Sequence, residues 1–378
     1  MSIFLKNVDR GIKGLNEGLP NGLGSMNRYI YNTQKKRYYL LGGESGTGKT
    51  TKLDATFLFE PYEFMVKNPG VEINWEYYSL EQGREAKENS WGSKIIYNKY
   101  GLRLPVAYIM SKGKNRISEE TYQLCIKTGE YIEEMFERIN MIDTAVMPSQ
   151  FRENLYRYGS KHGKWQTRPL FDRNGKAKRN KANTSDLMEV YGWIPNNPEA
   201  YHIFMIDHIA YFSLEYPNLK QNIDSISRTI VFFREITNWT FAVIQQFNTE
   251  LASVERQKFK KNAISPQRVD FGDSRYTYQD ADVVFGMLNP FNYDIPDFHG
   301  YNVMKMEGYA IWAFLMKNRH DGPAGRAIPY FMDPVAGKFE ELPEPVSAAF
   351  IDISGTDPME MYYDRAVEFN ELIKSYEQ

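Results

Sequence analysis

The sequence has one cysteine, Cys125, and five histidines in 378 residues. A single thiol excludes a framework of internal disulfides and is typical of proteins from a reducing cytosol. The histidines, at positions 162, 202, 208, 299 and 320, do not cluster, which disfavours a zinc site. Any chemistry that this chain performs therefore has to come from other side chains.

Long apolar runs and a strong excess of one charge are also missing. No run approaches the roughly 18 apolar residues that a membrane-spanning helix needs, and the first residues lack the hydrophobic stretch of a signal peptide. The formal net charge is −2, so contact with nucleic acid requires a local basic patch or a ring that concentrates a few charges. These absences predict a soluble, cytoplasmic protein.

Composition and periodicity predict a folded α/β chain. Hydrophobic residues make up 42% of the sequence and aromatic residues 15%, which indicates a globular protein with one large or two ordinary domains. Helical spacing predicts helices at about 83–100, 117–137, 148–160, 219–238 and 358–378. Short apolar runs predict strands at 38–41, 71–80, 107–110, 140–142, 201–208, 241–246, 283–288, 309–316, 328–332 and 338–342. A polar, basic loop is predicted at 248–277.

The most specific pattern is G-x-x-x-x-G-K-[ST] at residues 43–50, which follows the first strand. In such a loop glycines let backbone N–H groups turn toward a polyphosphate, at the positive end of the next helix. Lys49 would reach the β- and γ-phosphates, and Thr50 would ligate Mg²⁺. The helix is predicted to end near Phe59, before Pro61. The predicted nucleotide-binding residues are Gly43, Glu44, Ser45, Gly46, Thr47, Gly48, Lys49, Thr50 and Thr51.

A glycine-rich turn that matches by chance is the alternative, but the flanking strand and helix favour binding of a nucleoside triphosphate. Two downstream strands end in acids, Glu81 and Asp207, at the sheet edge where open α/β proteins bind ligands. There Glu81 would activate the water that attacks the γ-phosphate, and Asp207 would hold Mg²⁺ through water. The alternatives are a solvated loop charge for Glu81 and a simple strand cap for Asp207.

Two segments leave their roles open. In residues 1–18, apolar side chains recur at near-helical spacing, so this helix packs either on a neighbouring subunit or on its own domain. Eight Lys or Arg residues and one acid, Asp172, lie between Lys161 and Lys181, with Trp165 and Phe171 interleaved. Such a segment binds single-stranded nucleic acid through phosphates and stacking, or is a solvated loop or hairpin.

The order of the motifs resembles the RecA-like motor domain of DnaB-like hexameric replicative helicases, phage versions in particular. The family patterns G-[IL]-P-T-G-F, the phosphate loop, F-S-L-E, V-I-D-Y, L-S-Q-L, Q-D-A-D and K-Q-R-N-G-P resemble residues 18–23, 43–50, 78–81, 205–208, 244–247, 279–282 and 317–323. The resemblance covers roughly residues 18–342. It implies an α/β fold, that of a RecA-like P-loop NTPase with a central, mainly parallel sheet flanked by helices.

The resemblance also implies three segments and a set of site residues. Residues 1–18 form an N-terminal helix, a candidate subunit-docking element; 19–345 form the RecA-like ATPase motor, with about 103–200 divergent and partly inserted; and 346–378 form a C-terminal helical tail. Glu81 is then the catalytic base, Lys49 contacts phosphates and Gln246 senses the γ-phosphate. Arg319 becomes an arginine finger that enters, with Lys317, the ATP site of the next subunit. Thr50 and Asp207 hold Mg²⁺.

In the family, the loop before Q-D-A-D lines the central channel and grips DNA. Here that loop has Gly272 where the family usually has arginine, and Arg275 where it has glycine, so the role of the loop carries over better than its single contacts. The candidate DNA-binding residues in and before it are Lys260, Lys261, Arg268, Asp273, Ser274 and Arg275.

The implied function is an ATP-dependent hexameric DNA helicase that translocates on single-stranded DNA and unwinds duplex at a replication fork, in the cytoplasm of an infected bacterial host. ATP and Mg²⁺ are the implied cofactors, and single-stranded DNA, further copies of this chain, and primase or other replisome proteins the implied partners. The family's N-terminal helical domain, which engages primase, has no counterpart in the sequence. A RecA-like recombinase, a DNA-packaging ATPase and a non-catalytic ATP-gated scaffold are the alternatives.

Overall fold

The computed structural model describes residues 2–112, 116–179, 186–248, 264–272, 274–320, 322–346 and 357–377. The strands are β1 (Tyr38–Gly43), β2 (Ile73–Ser79), β3 (Ile139–Ile142), β4 (Gly163–Pro169), β5 (Met188–Pro195), β6 (Tyr201–Asp207), β7 (Thr240–Gln246), β8 (Val283–Leu288), β9 (Asp297–Phe298), β10 (Tyr301–Asn302), β11 (Ala310–Asn318), β12 (Arg326–Asp333) and β13 (Lys338–Glu341). The helices are α1 (Ile3–Ile12), α2 (Asn27–Ile30), α3 (Lys49–Asp54), α4 (Glu60–Lys67), α5 (Arg84–Tyr100), α6 (Val106–Ile109), α7 (Glu119–Phe136), α8 (Pro148–His162), α9 (Leu219–Ile236), α10 (Arg275–Asp280) and α11 (Glu360–Glu377). A π-helical turn, Ala55–Phe59, joins α3 to α4.

Within this part of the chain, nine strands form one sheet in the order β13-β12-β11-β8-β1-β7-β6-β2-β3. The six strands from β8 to β3 are parallel, and β11, β12 and β13 add an antiparallel side. Alternate residues of β1 enter two different cores: Tyr38 and Leu40 join one, and Tyr39 and Leu41 the other. The predicted mainly parallel α/β sheet with both faces covered is therefore confirmed.

The helix after the phosphate loop does not end at Phe59, so that prediction is wrong. It continues through Pro61 as α4, by way of the π-helical turn. Proline has no N–H for the carbonyl four residues earlier, which here belongs to Phe57. Trp75 Nε1 donates to that carbonyl instead, at 2.7 Å. The wider π turn leaves room for the proline ring, and a neighbouring strand supplies the missing hydrogen bond.

The Trp75→Phe variant tests this compensation. We expect the free energy of unfolding to fall by about 1–3 kcal/mol, because the buried Phe57 carbonyl loses its donor. Urea unfolding measures the change. Trp239→Phe is the matched control, since Trp239 is equally buried and, among the described residues, its Nε1 has no partner. Equal losses in the two variants would contradict the compensation.

Two other predictions fail for local reasons. The segment predicted as a strand at 107–110 is helix α6, because the Pro105 carbonyl accepts hydrogen bonds from Tyr108 and Ile109 and starts a helical turn. A short apolar run does not distinguish strand from helix. Helix α10 lies inside the predicted polar loop, capped by Ser274, whose Oγ accepts from the Tyr276 N–H at 3.2 Å. The paired strands β9 and β10 were also not predicted.

The basic segment contains a β-hairpin formed by β4 and β5. Trp165 does not belong to its exposed surface: it packs against Trp193 and Trp239, and its Nε1 donates to the Tyr156 carbonyl at 3.0 Å. Phe171, in contrast, is 52% exposed. The segment thus has the hairpin form of the second alternative, Lys181 lies outside the described residues, and binding of nucleic acid stays a prediction.

The two ends of the chain differ in how they pack. Helix α11 buries Tyr362, Ala366 and Phe369 in the core, as its predicted amphipathic pattern requires. Helix α1 leaves its apolar side chains in solvent and is held by an ion pair between Arg10 and Glu199, at 2.5 Å. No helix in the described ranges is long and apolar enough to cross a membrane.

Candidate active site

The phosphate loop joins the end of β1 to the start of α3. Gly48 caps the helix in the left-handed region, with φ of 76°, and a Cβ there would lie 2.3 Å from Met332 Sδ. Only glycine fits both conditions. Thr47 Oγ1 donates to the Glu44 carbonyl at 2.8 Å, while Ser45 and Gly46 remain exposed. The loop is therefore closed on itself and accessible, at a helix end that favours anions.

Lys49 lies largely buried at the centre of this site. Its Nζ donates to the Glu44 carbonyl at 2.5 Å. Burial lowers the pKa of Lys49 to about 8, and the negative charges of Glu81, Asp207 and Glu44 oppose that shift. The three carboxylates thus share an electrostatic environment with the lysine that is predicted to contact phosphate.

The sheet register brings the predicted site residues to one edge. Gly43 pairs with Gln246, and Ser79 pairs with Asp207. The N–H of Glu81 donates to the Asp207 carbonyl at 3.1 Å, so the two acids follow neighbouring strands. Glu81 and Gln246 are exposed, whereas Asp207 is buried. This edge is where parallel α/β sheets bind their ligands.

The Asp207 carboxylate has one satisfied and one unsatisfied oxygen. Its Oδ2 accepts from Lys87 Nζ at 3.2 Å, and its Oδ1 has no partner among the described residues. A buried carboxylate oxygen without a partner is rare and requires an explanation. Carboxylate and hydroxyl oxygens suit Mg²⁺, so Asp207 and the nearby Thr50 fit the predicted metal.

His208 connects the ends of two strands and was not predicted as a site residue. The backbone N–H of Gln246 donates to its Nε2 at 2.9 Å. Burial lowers the pKa of His208 to about 4, and the positive charge of Lys49 acts in the same direction. The ring is therefore neutral at pH 7. Its position after the strand-ending Asp207 is a signal that the sequence offered.

Arg319 and Lys317 lie at the opposite edge of the sheet. Because β11 is antiparallel to β8, Asn318 pairs with Val283, which in turn pairs with Tyr39. Gly43 is four residues further along β1, roughly 13 Å away at about 3.3 Å per residue. Neither cation is therefore placed to act on its own chain's phosphate loop.

Both cations have partners within their own chain. Lys317 Nζ donates to the carbonyls of Gln279 and Ala281, each at 2.7 Å, and burial lowers its pKa to about 8. Arg319 Nη2 donates to the Gln279 carbonyl at 2.6 Å, and its Nη1 to Asp282 Oδ1 at 3.2 Å. The Q-D-A-D segment is thus the platform on which the two cations are held.

Asp282 is a residue whose role the sequence did not reveal. Its Oδ2 accepts from the Tyr38 N–H at 2.9 Å and from Arg234 Nη1 at 2.8 Å. It therefore fixes the start of β1, and it is the same carboxylate that binds Arg319. The Q-D-A-D motif gave its place but not its partners, since Arg234 lies 48 residues away.

The candidate DNA-binding residues are only partly described. Lys260, Lys261 and Asp273 lie outside the described residues. Arg268 and Arg275 are exposed, while Ser274 is buried, and its hydroxyl donates to Asp224. The side chain of Ser274 is therefore committed to capping α10.

Helix α10 is also connected to β7. Thr277 Oγ1, on the helix, donates to Gln245 Oε1 at 2.6 Å. Gln245 precedes Gln246, the predicted γ-phosphate sensor. The loop predicted to contact DNA is thus joined by one hydrogen bond to the strand that ends at the nucleotide edge.

No protein-family model matches the sequence, and no curated protein matches it. Among solved structures, the ATPase domain of a phage helicase is similar with a TM-score of 0.61 and 17% identity, covering 90% of this chain and 98% of that one. A DnaB-like replicative helicase, described with its interactions with primase, is similar with a TM-score of 0.60 and 17% identity, covering 90% of this chain and 68% of that one. At this identity the likeness concerns the fold. The chain has the RecA-like α/β fold of these ATPase and helicase structures.

Proposed function

We propose that this chain is the motor subunit of an ATP-dependent hexameric DNA helicase of the DnaB-like, phage type. It would translocate on single-stranded DNA and unwind duplex at a replication fork. One observation carries the proposal: Lys49, Glu81, Asp207 and Gln246 meet at one edge of the sheet, while Arg319 lies at the other. One chain thus contributes the two halves of an ATPase site to different surfaces.

At the nucleotide edge, each residue has a role that its position supports. Lys49 and the loop bind the phosphates, and Glu81, exposed after β2, accepts a proton from the attacking water. Gln246, exposed after β7, orients that water or the γ-phosphate. Thr50 and Asp207 hold Mg²⁺, which when bound neutralises charge on the phosphates.

The other half of the site comes from a neighbouring copy. Arg319 and Lys317 would enter the neighbour's nucleotide edge, where an arginine finger contributes on the order of 10³–10⁵ in rate. Contacts between two different surfaces of one chain are heterologous, and they close into rings or continue as filaments. Hydrolysis would therefore require assembly.

Contact with single-stranded DNA is proposed for the loop before α10. Arg268 and Arg275 are exposed there, and Lys260, Lys261 and Asp273 belong to the same segment of sequence. Thr277 and Gln245 give a route by which movement of the nucleotide edge reaches this loop. A primase or another replisome protein is the proposed partner, by analogy with the DnaB-like helicase structure that is described with primase.

Helix α1 is proposed as a subunit-docking element. Phe4 is 72% exposed and Ile12 82% exposed, and both lie on its apolar face. For Phe4→Ser with Ile12→Ser we expect assembly at least about tenfold weaker, because burying each side chain contributes about 1.5–3 kcal/mol. Sedimentation over a range of concentrations, with an ATP analogue present, measures assembly.

Lys6→Ser, on the same helix, is the control for that double variant. Because the altered side chains are exposed, the double variant should keep the unfolding midpoint of the wild type. An unchanged assembly curve would remove α1 from the subunit interface.

A single preparation examined in three ways tests the proposed function. Particle mass with and without an ATP analogue shows assembly, the ATPase rate with and without single-stranded DNA shows coupling, and a forked duplex shows strand separation. We expect a hexamer-sized particle, DNA-stimulated hydrolysis and unwinding. Strand exchange without unwinding would indicate the recombinase alternative, uptake of duplex without strand separation a packaging ATPase, and nucleotide binding without hydrolysis a scaffold.

A further inference from the structure

A fully buried polar network lies behind the nucleotide edge. At its centre is Lys87, on α5, which is 1% exposed. Lys87 Nζ donates to Tyr77 Oη at 2.5 Å, to Asp207 Oδ2 at 3.2 Å and to Asp54 Oδ2 at 3.4 Å. One ammonium group therefore joins the phosphate-loop helix, strand β2 and the acid at the end of β6.

The charges in the network are balanced. Asp54 and Asp207 face two lysines of α5, Lys87 and Lys94. Asp54 has further donors, since Tyr77 Oη donates to its Oδ1 at 2.7 Å and Trp91 Nε1 to its Oδ2 at 3.1 Å. Burying four charges is costly unless they are paired, so this arrangement has to form as a unit.

The two lysines have different partners. Lys94 Nζ lies 3.6 Å from Asp54 Oδ2. Lys87 pairs with Asp54 and also with Asp207. The pair thus offers two buried cations on one helix, of which Lys87 reaches the proposed metal ligand.

Lys87 also decides which oxygen of Asp207 is free. It occupies Oδ2, and Oδ1 is left without a partner in the described part of the chain. In addition, the Lys87 N–H donates to the Gly83 carbonyl at 3.2 Å, two residues after Glu81. The same residue therefore holds the carboxylate and the first turn that follows the proposed catalytic base.

We propose that Lys87 is a positioning residue, which holds the Asp207 carboxylate so that one oxygen remains free for the hydrated Mg²⁺ of a bound nucleotide. This inference rests on the proposed ATPase function. Without Lys87, the Asp207 side chain would rotate or attract another donor, and its contribution to the metal site would fall. Partners that orient metal ligands typically contribute about 10–100-fold in metal affinity.

The test compares Lys87→Met with Lys94→Met in the full chain. A fluorescent, non-hydrolysable ATP analogue is titrated with Mg²⁺ and with a chelator, so that the affinity gained from Mg²⁺ is measured without turnover. We expect Lys87→Met to lose about tenfold or more of this gain, with its affinity in chelator unchanged. Lys94→Met, which removes an equally buried cation, should keep the gain of the wild type.

An equal Mg²⁺-dependent gain in the two variants overturns the inference. If Lys87→Met does not fold, as judged by circular dichroism, Tyr77→Phe decides. It removes a partner of Lys87 without touching Asp207, and a several-fold smaller gain is expected; an unchanged gain overturns the inference. A wild type whose nucleotide affinity does not respond to Mg²⁺ would instead contradict the proposed function.

Discussion

The Arg319→Ala variant is expected to lose ATP hydrolysis by about 10³-fold or more, with little change in its affinity for ATP. The reason is position: Arg319 follows β11, at the edge of the sheet opposite the phosphate loop. It cannot contribute to binding in its own chain, but in a ring it would stabilise charge on the neighbour's γ-phosphate in the transition state. ATPase assays and binding of a fluorescent nucleotide measure the two effects separately.

The fold should tolerate this change. Asp282, the acid beside Arg319, keeps its bonds to the Tyr38 N–H and to Arg234. Arg157→Ala, on the exposed face of α8, is the control for loss of a surface arginine. A fully active Arg319→Ala enzyme would reject the shared site.

The Glu81→Gln variant is expected to lower kcat by about 10²–10⁴-fold, because the amide cannot accept a proton from the attacking water. Nucleotide binding and assembly should persist. Glu81 is exposed, and its contact with the Asp207 carbonyl comes from the backbone N–H, which the substitution leaves in place. A single-turnover measurement of phosphate release reports the chemical step.

Glu85→Gln, four residues further along the chain and also exposed, is the matched control. It removes the same charge from the same surface without altering the end of β2. Hydrolysis by Glu81→Gln within twofold of the wild type would assign the role of base to another group.

The sequence was sufficient where the determinant is local. The phosphate loop follows from glycines at fixed spacing, and the strand ends at Glu81 and Asp207 follow from apolar runs that stop at an acid. The register of the parallel strands then brings those ends together, since β2 and β6 are neighbours. These parts of the site depend on few contacts from distant residues.

The sequence was insufficient where a distant partner decides. The helix passes Pro61 because Trp75 supplies a hydrogen bond from another strand. Lys87 lies 120 residues from Asp207 and 33 from Asp54, so no local pattern marks it as part of the site. A lysine inside a helical pattern reads as a solvated charge until the fold buries it.

The two-chain nature of the site is tested most directly by mixing two inactive variants. Lys49→Ala lacks the phosphate-binding lysine, and Arg319→Ala lacks the finger, so each alone should be nearly inactive. A mixed ring contains sites that join an intact Lys49 from one chain to an intact Arg319 from its neighbour. The account predicts that ATPase activity returns on mixing, to about a quarter of the wild-type rate if copies assort at random. Mixed rings that form and stay inactive, or an active single variant, would contradict it.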